Sequence, residues 1–113
     1  MKNYEDMSDG ELSVSVFEVA QIECEHYHID DGVVYKTKGG KWLEFSIKNP
    51  SSIMPIAIEH GFSIEIPDDN LGCIGTITKY IPNDTDIYYD YDDKDKTYRA
   101  IAICFLKMKE LEK

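Results

Sequence analysis

The run Tyr98-Arg99-Ala100-Ile101-Ala102-Ile103-Cys104-Phe105-Leu106 is the stretch on which the fold turns. Ala100, Ala102, Cys104 and Leu106 form one apolar row and Ile101, Ile103 and Phe105 the other. A strand that is apolar on both faces is covered on both faces, so the run is expected to be a central β-strand. The charged residues after it, Lys107 to Lys113, are expected to extend the strand or turn helical.

Working outward, the alternating runs nearest to it read as its partners. Ile87 to Tyr91 and Tyr98 to Leu106 flank a polar connection and are expected to form a hairpin. Phe62 to Ile66 alternates and stops at Pro67, Asp68-Asp69-Asn70-Leu71-Gly72 turns the chain, and Cys73 to Ile81 supplies the next strand. Val33 to Tyr35 and Trp42 to Ile47 bracket Gly39-Gly40, whose glycines take positive φ cheaply, giving another hairpin. Leu43, Phe45 and Ile47 make its core row, with Trp42 on the opposite side.

Two segments complete the outline. Leu12 to Asp30 is rich in Val and then alternates through Ile22, Cys24, His26 and His28, which reads as one long strand or two broken by a bulge. Ile53, Ile56, Ala57 and His60 recur at helical spacing before Gly61, which predicts a short helix over 53–60. With Ser52 as its N-cap, Pro55 falls at the third helical position, where a missing N–H costs no intrahelical bond. The expected fold is therefore mainly β or α+β: a curled antiparallel sheet or small barrel with one short helix, and two at most. Residues 1–11 are expected to be a flexible acidic leader, and 12–113 a single β-rich domain.

The chain has 113 residues and a formal net charge of -10, with 42% hydrophobic residues. That hydrophobic fraction supports a folded core. The negative charge repels nucleic acid and anionic membranes and attracts basic surfaces. It is also concentrated. Residues 1–31 hold nine acids against one lysine, and residues 67–96 hold eight acids against three.

The three cysteines, Cys24, Cys73 and Cys104, form no C-x-x-C pair, which points to a reducing compartment rather than a disulfide framework. No basic, apolar leader opens the sequence, so a cytoplasmic protein is expected.

Those acids and the tyrosines among them give the main functional expectation. Asp86, Tyr88, Tyr89, Asp90, Tyr91, Asp92 and Asp93 interleave aromatic contact area with charge, as interfaces do. Carboxylates two apart on a strand share a face and stand roughly 6.8 Å apart. Glu23 with Glu25, Asp84 with Asp86, and Asp90 with Asp92 meet that spacing, and such a row would imitate nucleic-acid phosphates. Trp42 is a further anchor candidate. The reading is a non-catalytic regulatory or inhibitory protein acting on a basic-surfaced macromolecule, with no cofactor, direct nucleic-acid contact or membrane contact.

A different class centres on Cys24-x-His26-x-His28. On one strand these share a face, and His60 would complete a set for a small enzyme or metal-binding protein. The spacing lacks the paired ligands of zinc motifs, and Asp90 to Asp95 lacks the EF-hand glycine. Neither a catalytic residue nor a metal ligand is therefore assigned. Self-association as a structural subunit is the remaining alternative.

Overall fold

The structure is a computed structural model that describes residues 3–68 and 70–111. Three helices, α1 (Asp9–Val19), α2 (Pro50–Glu59) and α3 (Thr97–Leu111), accompany six strands. The strands are β1 (His26–Asp30), β2 (Gly32–Lys36), β3 (Trp42–Phe45), β4 (Ser63–Glu65), β5 (Gly75–Lys79) and β6 (Ile87–Tyr91). They form two separate three-stranded antiparallel sheets, β1-β2-β3 and β4-β5-β6, so the fold is α+β and neither sheet closes into a barrel.

The expected central strand is instead the central helix. α3 packs against α1, α2, β5 and β6, and buries Ala100 through Leu106 together with Met108. The reading of two covered faces was sound in what it said about burial, but a helix surrounded by other elements is also apolar all round. Periodicity alone does not separate the two states. The helix's 15 residues do, because strands seldom run so long.

The Val-rich stretch from Leu12 is also helical rather than a strand. Ser8 accepts from the Glu11 backbone N–H at 3.1 Å, and the Glu11 side chain accepts from the Ser8 N–H at 3.1 Å. This reciprocal capping box satisfies two donors that the first turn would otherwise leave bare. Leu12, Ser13, Val16 and Phe17 then face the core at helical spacing. Gln21, at φ 54°, turns the chain out of α1.

The leader expected over residues 1–11 is replaced, within the described residues, by a 3-10 turn over Tyr4–Asp6 and the first turn of α1. Tyr4 is buried in the core, and its hydroxyl donates to Glu110. Residues 1, 2, 69, 112 and 113, which belong to that leader, the 68–72 turn and the tail, lie outside the described residues.

The predicted short helix is present as α2 but begins earlier. Asn49 is its N-cap, accepting from Ser51 N–H at 3.1 Å, and Pro50 opens the first turn. Ser52 is therefore interior, and Pro55 lies within the helix rather than in its first turn. The three α-helices among the described residues exceed the expected one or two, because the valine and isoleucine runs of α1 and α3 suit a strand equally well.

One hydrophobic cluster joins both sheets to all three helices. Val33, Phe45 and Ile47 enter it from the first sheet side, and Ile77, Ile87 and Tyr91 from the second. Among the described residues, no helix is long and apolar enough to cross a membrane.

Candidate binding surfaces

In β6, alternation divides the tyrosine cluster between two faces. Ile87, Tyr89 and Tyr91 point inward with Ile77 and Gly75, toward α3, whereas Tyr88 and Asp90 point outward. Tyr91 is 7% exposed, and its hydroxyl donates to the Glu65 carbonyl at 3.1 Å. The ring of Tyr89 receives Lys107, whose Nζ is 5.2 Å from the centroid. Burial raises the Tyr89 hydroxyl above its usual range, with the Glu5 carboxylate adding to the effect. Two of the three tyrosines expected at a partner surface are thus packing residues.

The outward face of the second sheet is composed of Ser63 and Glu65 from β4, Thr76 and Thr78 from β5, and Tyr88 and Asp90 from β6. The Thr76 hydroxyl donates to Asp90 at 2.8 Å, which fixes that carboxylate in place. Tyr80 directly follows β5 and is 60% exposed, close to the 59% of Tyr88. None of these outward residues is basic. Asp86 flanks the face, accepting from the Ile81 N–H at 3.1 Å. Tyr80 and Glu65 were not singled out in sequence; the parity of β5 and β4 against β6 is the signal that finds them.

The other expected acids are distributed differently. Asp93 accepts from Asp95 N–H at 2.9 Å and caps the turn before α3, while Asp92 is exposed beyond the end of β6. Glu23 pairs with Lys38 at 3.4 Å and Glu25 with Lys36 at 3.9 Å. Both precede β1, and Asp84 and Asp86 precede β6, so none of the three carboxylate pairs lies within one strand. The even two-residue spacing expected of a phosphate-like row is therefore not what positions them.

On the outward face of the first sheet, Trp42 is 50% exposed. Its ring lies 6.1 Å from that of His26 and 5.8 Å from that of His28. Cys24 does not join them, because it lies before the strand and packs partly against the core. His60 is at the end of α2, stacked on Phe62 at 6.2 Å and tilted against Phe105 at 5.2 Å. The expected Cys24, His26, His28 and His60 set is thus split, and no group of three or more His, Cys, Asp or Glu among the described residues is placed to hold a metal ion.

A cleft of about 620 Å³ opens between the starts of α1 and α3, α2 and β4. Ile47, Met54, Ile64, Ile66 and Tyr98 supply apolar wall, with Lys48, Lys94 and Asp95 also lining it. At one side Arg99, the sole arginine of the chain, pairs with Asp9 at 2.9 Å. Sequence reading missed this cleft, because its walls come from segments far apart in the chain. No protein-family model matches the sequence, and no curated protein matches it either.

Proposed function

We propose that the chain is a non-catalytic binding protein, regulatory or inhibitory in role, that engages a basic-surfaced protein through the outward face of its second sheet. The observation that carries this reading is the composition of that face. Tyr88 stands exposed on the same face as Glu65 and Asp90, and Tyr80, just past the end of β5, is exposed as well, with no basic residue among the outward positions. Tyrosine rings offer flat contact area at low entropic cost, and they attract guanidinium groups over their faces. The carboxylates steer a basic partner toward them, and the net charge of -10 adds to the long-range attraction.

Self-association through this face is disfavoured by the same chemistry, since two copies would bring like charges together. Three free cysteines suit a reducing, cytoplasmic setting for such a protein.

The test uses nona-arginine and nona-lysine peptides as probes, with amide and side-chain NMR shifts mapping the contact. Both peptides are expected to perturb Glu65, Tyr80, Tyr88 and Asp90, with binding that falls as salt rises. Nona-arginine should bind more tightly, and Tyr80→Ala with Tyr88→Ala should remove that advantage at unchanged charge. Perturbations centred on the acids of residues 5–25, or equal binding of both peptides before and after the tyrosine changes, would overturn the assignment.

A further inference from the structure

We infer that the cleft between α2, β4 and the start of α3 is a second, independent site, for a small apolar molecule that carries one anionic headgroup. Its volume of about 620 Å³ suits a small-molecule ligand, and its lining combines apolar wall with a few polar groups, as such sites do. Among its lining residues Ile47 is buried, Met54 and Ile64 are half-buried, and Ile66 is exposed. An apolar body laid against these side chains removes its own surface and theirs from water.

The charge around the cleft identifies the headgroup. Arg99 and Asp9 are spent on each other, and Arg99 also donates to the carbonyls of Tyr4, Glu5 and Met7. That leaves Lys48 and Lys94 against the single carboxylate of Asp95, a local excess of positive charge. Lys48 and Lys94 make no ion pair among the described residues. In a protein of net charge -10 the lining of this cleft carries a net charge of +1, a local inversion of sign, with Asp68 beyond Lys94 in the adjoining cavity. An anion held here lies in a cleft that both Lys48 and Lys94 line, while the negative surface elsewhere is screened over roughly 8–10 Å at moderate ionic strength.

The inversion makes the inference testable, because the global and local charges predict opposite preferences. The probes are decanoate, decyl phosphate, decanol and decyltrimethylammonium, the ionic ones below their micellar concentrations and decanol below its solubility limit, followed by calorimetry. If the overall charge governs, the cationic probe binds best. The cleft as described predicts one anionic probe per chain, bound at least roughly tenfold more tightly than decyltrimethylammonium, with decanol between. The two anionic arms separate a carboxylate headgroup from a phosphate one.

Lys48→Glu combined with Lys94→Glu should abolish the preference for anions while leaving the circular dichroism spectrum unchanged, since both side chains are exposed. Met54→Trp should fill the cleft and weaken all four probes. Should that variant not fold, Ile66→Ser at its exposed position removes wall instead, and should also weaken all four. Equal or tighter binding of the cationic probe, no binding of any probe, or anion binding that survives both lysine changes would overturn the inference. None of these residues belongs to the acidic tyrosine face, so the outcome is independent of the peptide experiment.

Discussion

Asp9 and Arg99 are 90 residues apart in sequence, and their side chains meet at 2.9 Å where α1 and α3 begin. The guanidinium does more than form this pair. Its second amino group donates its two N–H bonds to the Met7 carbonyl and to the Glu5 carbonyl at 2.9 Å, the longer 3.4 Å approach to the Tyr4 carbonyl sharing one of them, so one side chain holds the segment before α1. A planar guanidinium spreads five donors over a fixed fork and reaches acceptors on several sides, whereas a lysine offers three donors from a single nitrogen.

Arg99→Ala is therefore expected to destabilise the protein by about 2 kcal/mol, through lost charge-assisted hydrogen bonds. Arg99→Lys should recover less than half of this. Urea unfolding at neutral pH measures both. A lysine variant as stable as the parent would show that charge alone, without the forked geometry, holds the segment.

Gly75 and Tyr91 form a cross-strand pair in which the glycine is required by what lies above it. A Cβ at Gly75 would stand 2.5 Å from the Glu65 carbonyl oxygen and 2.8 Å from the Tyr91 ring carbon that bears the hydroxyl. The backbone oxygen cannot rotate away, so the strand itself must shift. Gly75→Ala should cost about 2–3 kcal/mol, within the usual range for overpacking. Thermal unfolding reads the change, and a variant with an unaltered midpoint would refute the close approach.

That pair also shows how much was legible beforehand. The segments around Gly39-Gly40, Asn70 and Asn83 were readable because those turns separate alternating runs, and Ile87–Tyr91 is a strand with the expected limits, although it pairs with β5 and not, as expected, with Tyr98–Leu106, which is helical. Which tyrosines face outward was not readable from β6 alone, since either parity places aromatic rings on both sides. It is settled by Gly75, which leaves room for the Tyr91 ring on the inner face. The two misread helices have alternating valines or isoleucines that suit both states. Ser8-x-x-Glu11 was the local signal for α1, and the uninterrupted length from Thr97 was the signal for α3. The cleft had no local signal, because Lys48, Ile64 and Lys94 are brought together only by tertiary packing.

Ser13 is a buried polar residue with two jobs. Its hydroxyl donates to the Asp9 carbonyl at 2.8 Å and accepts from the Ile47 N–H at 3.0 Å, which ties α1 to the chain leaving β3. Ser13→Ala leaves that buried N–H without its acceptor, at a cost of about 1–2 kcal/mol. Hydrogen exchange at Ile47 should accelerate more than at neighbouring core amides. Uniform acceleration across the core would mean that the bond stabilises the fold only globally.

Burial pushes the Cys104 thiol up to about 11 from an ordinary 9, with Lys107 opposing it weakly. Burial also raises the Tyr4 hydroxyl above its usual 10, aided by its hydrogen bond and proximity to the Glu110 carboxylate. Both groups are neutral acids that the folded state holds in their protonated form. The unfolded chain releases these protons first, so the stabilising contribution is complete below pH 9 and is lost as pH rises through the folded-state values.

Stability from these groups should be flat between pH 7 and 9 and should fall above that. Cys104→Ala and Tyr4→Phe should each flatten part of the alkaline decline, whatever they cost in packing at pH 7. The thiol gives a second readout in native protein at pH 8. Iodoacetamide should modify exposed Cys73 first and reach Cys104 only on unfolding, because burial limits access and the raised value leaves little thiolate. Peptide mass spectrometry across a urea series locates each modification. Labelling of Cys104 in parallel with Cys73, well before the unfolding transition, would place that thiol outside the packed interior of α3 and remove the basis for its share of the alkaline limb.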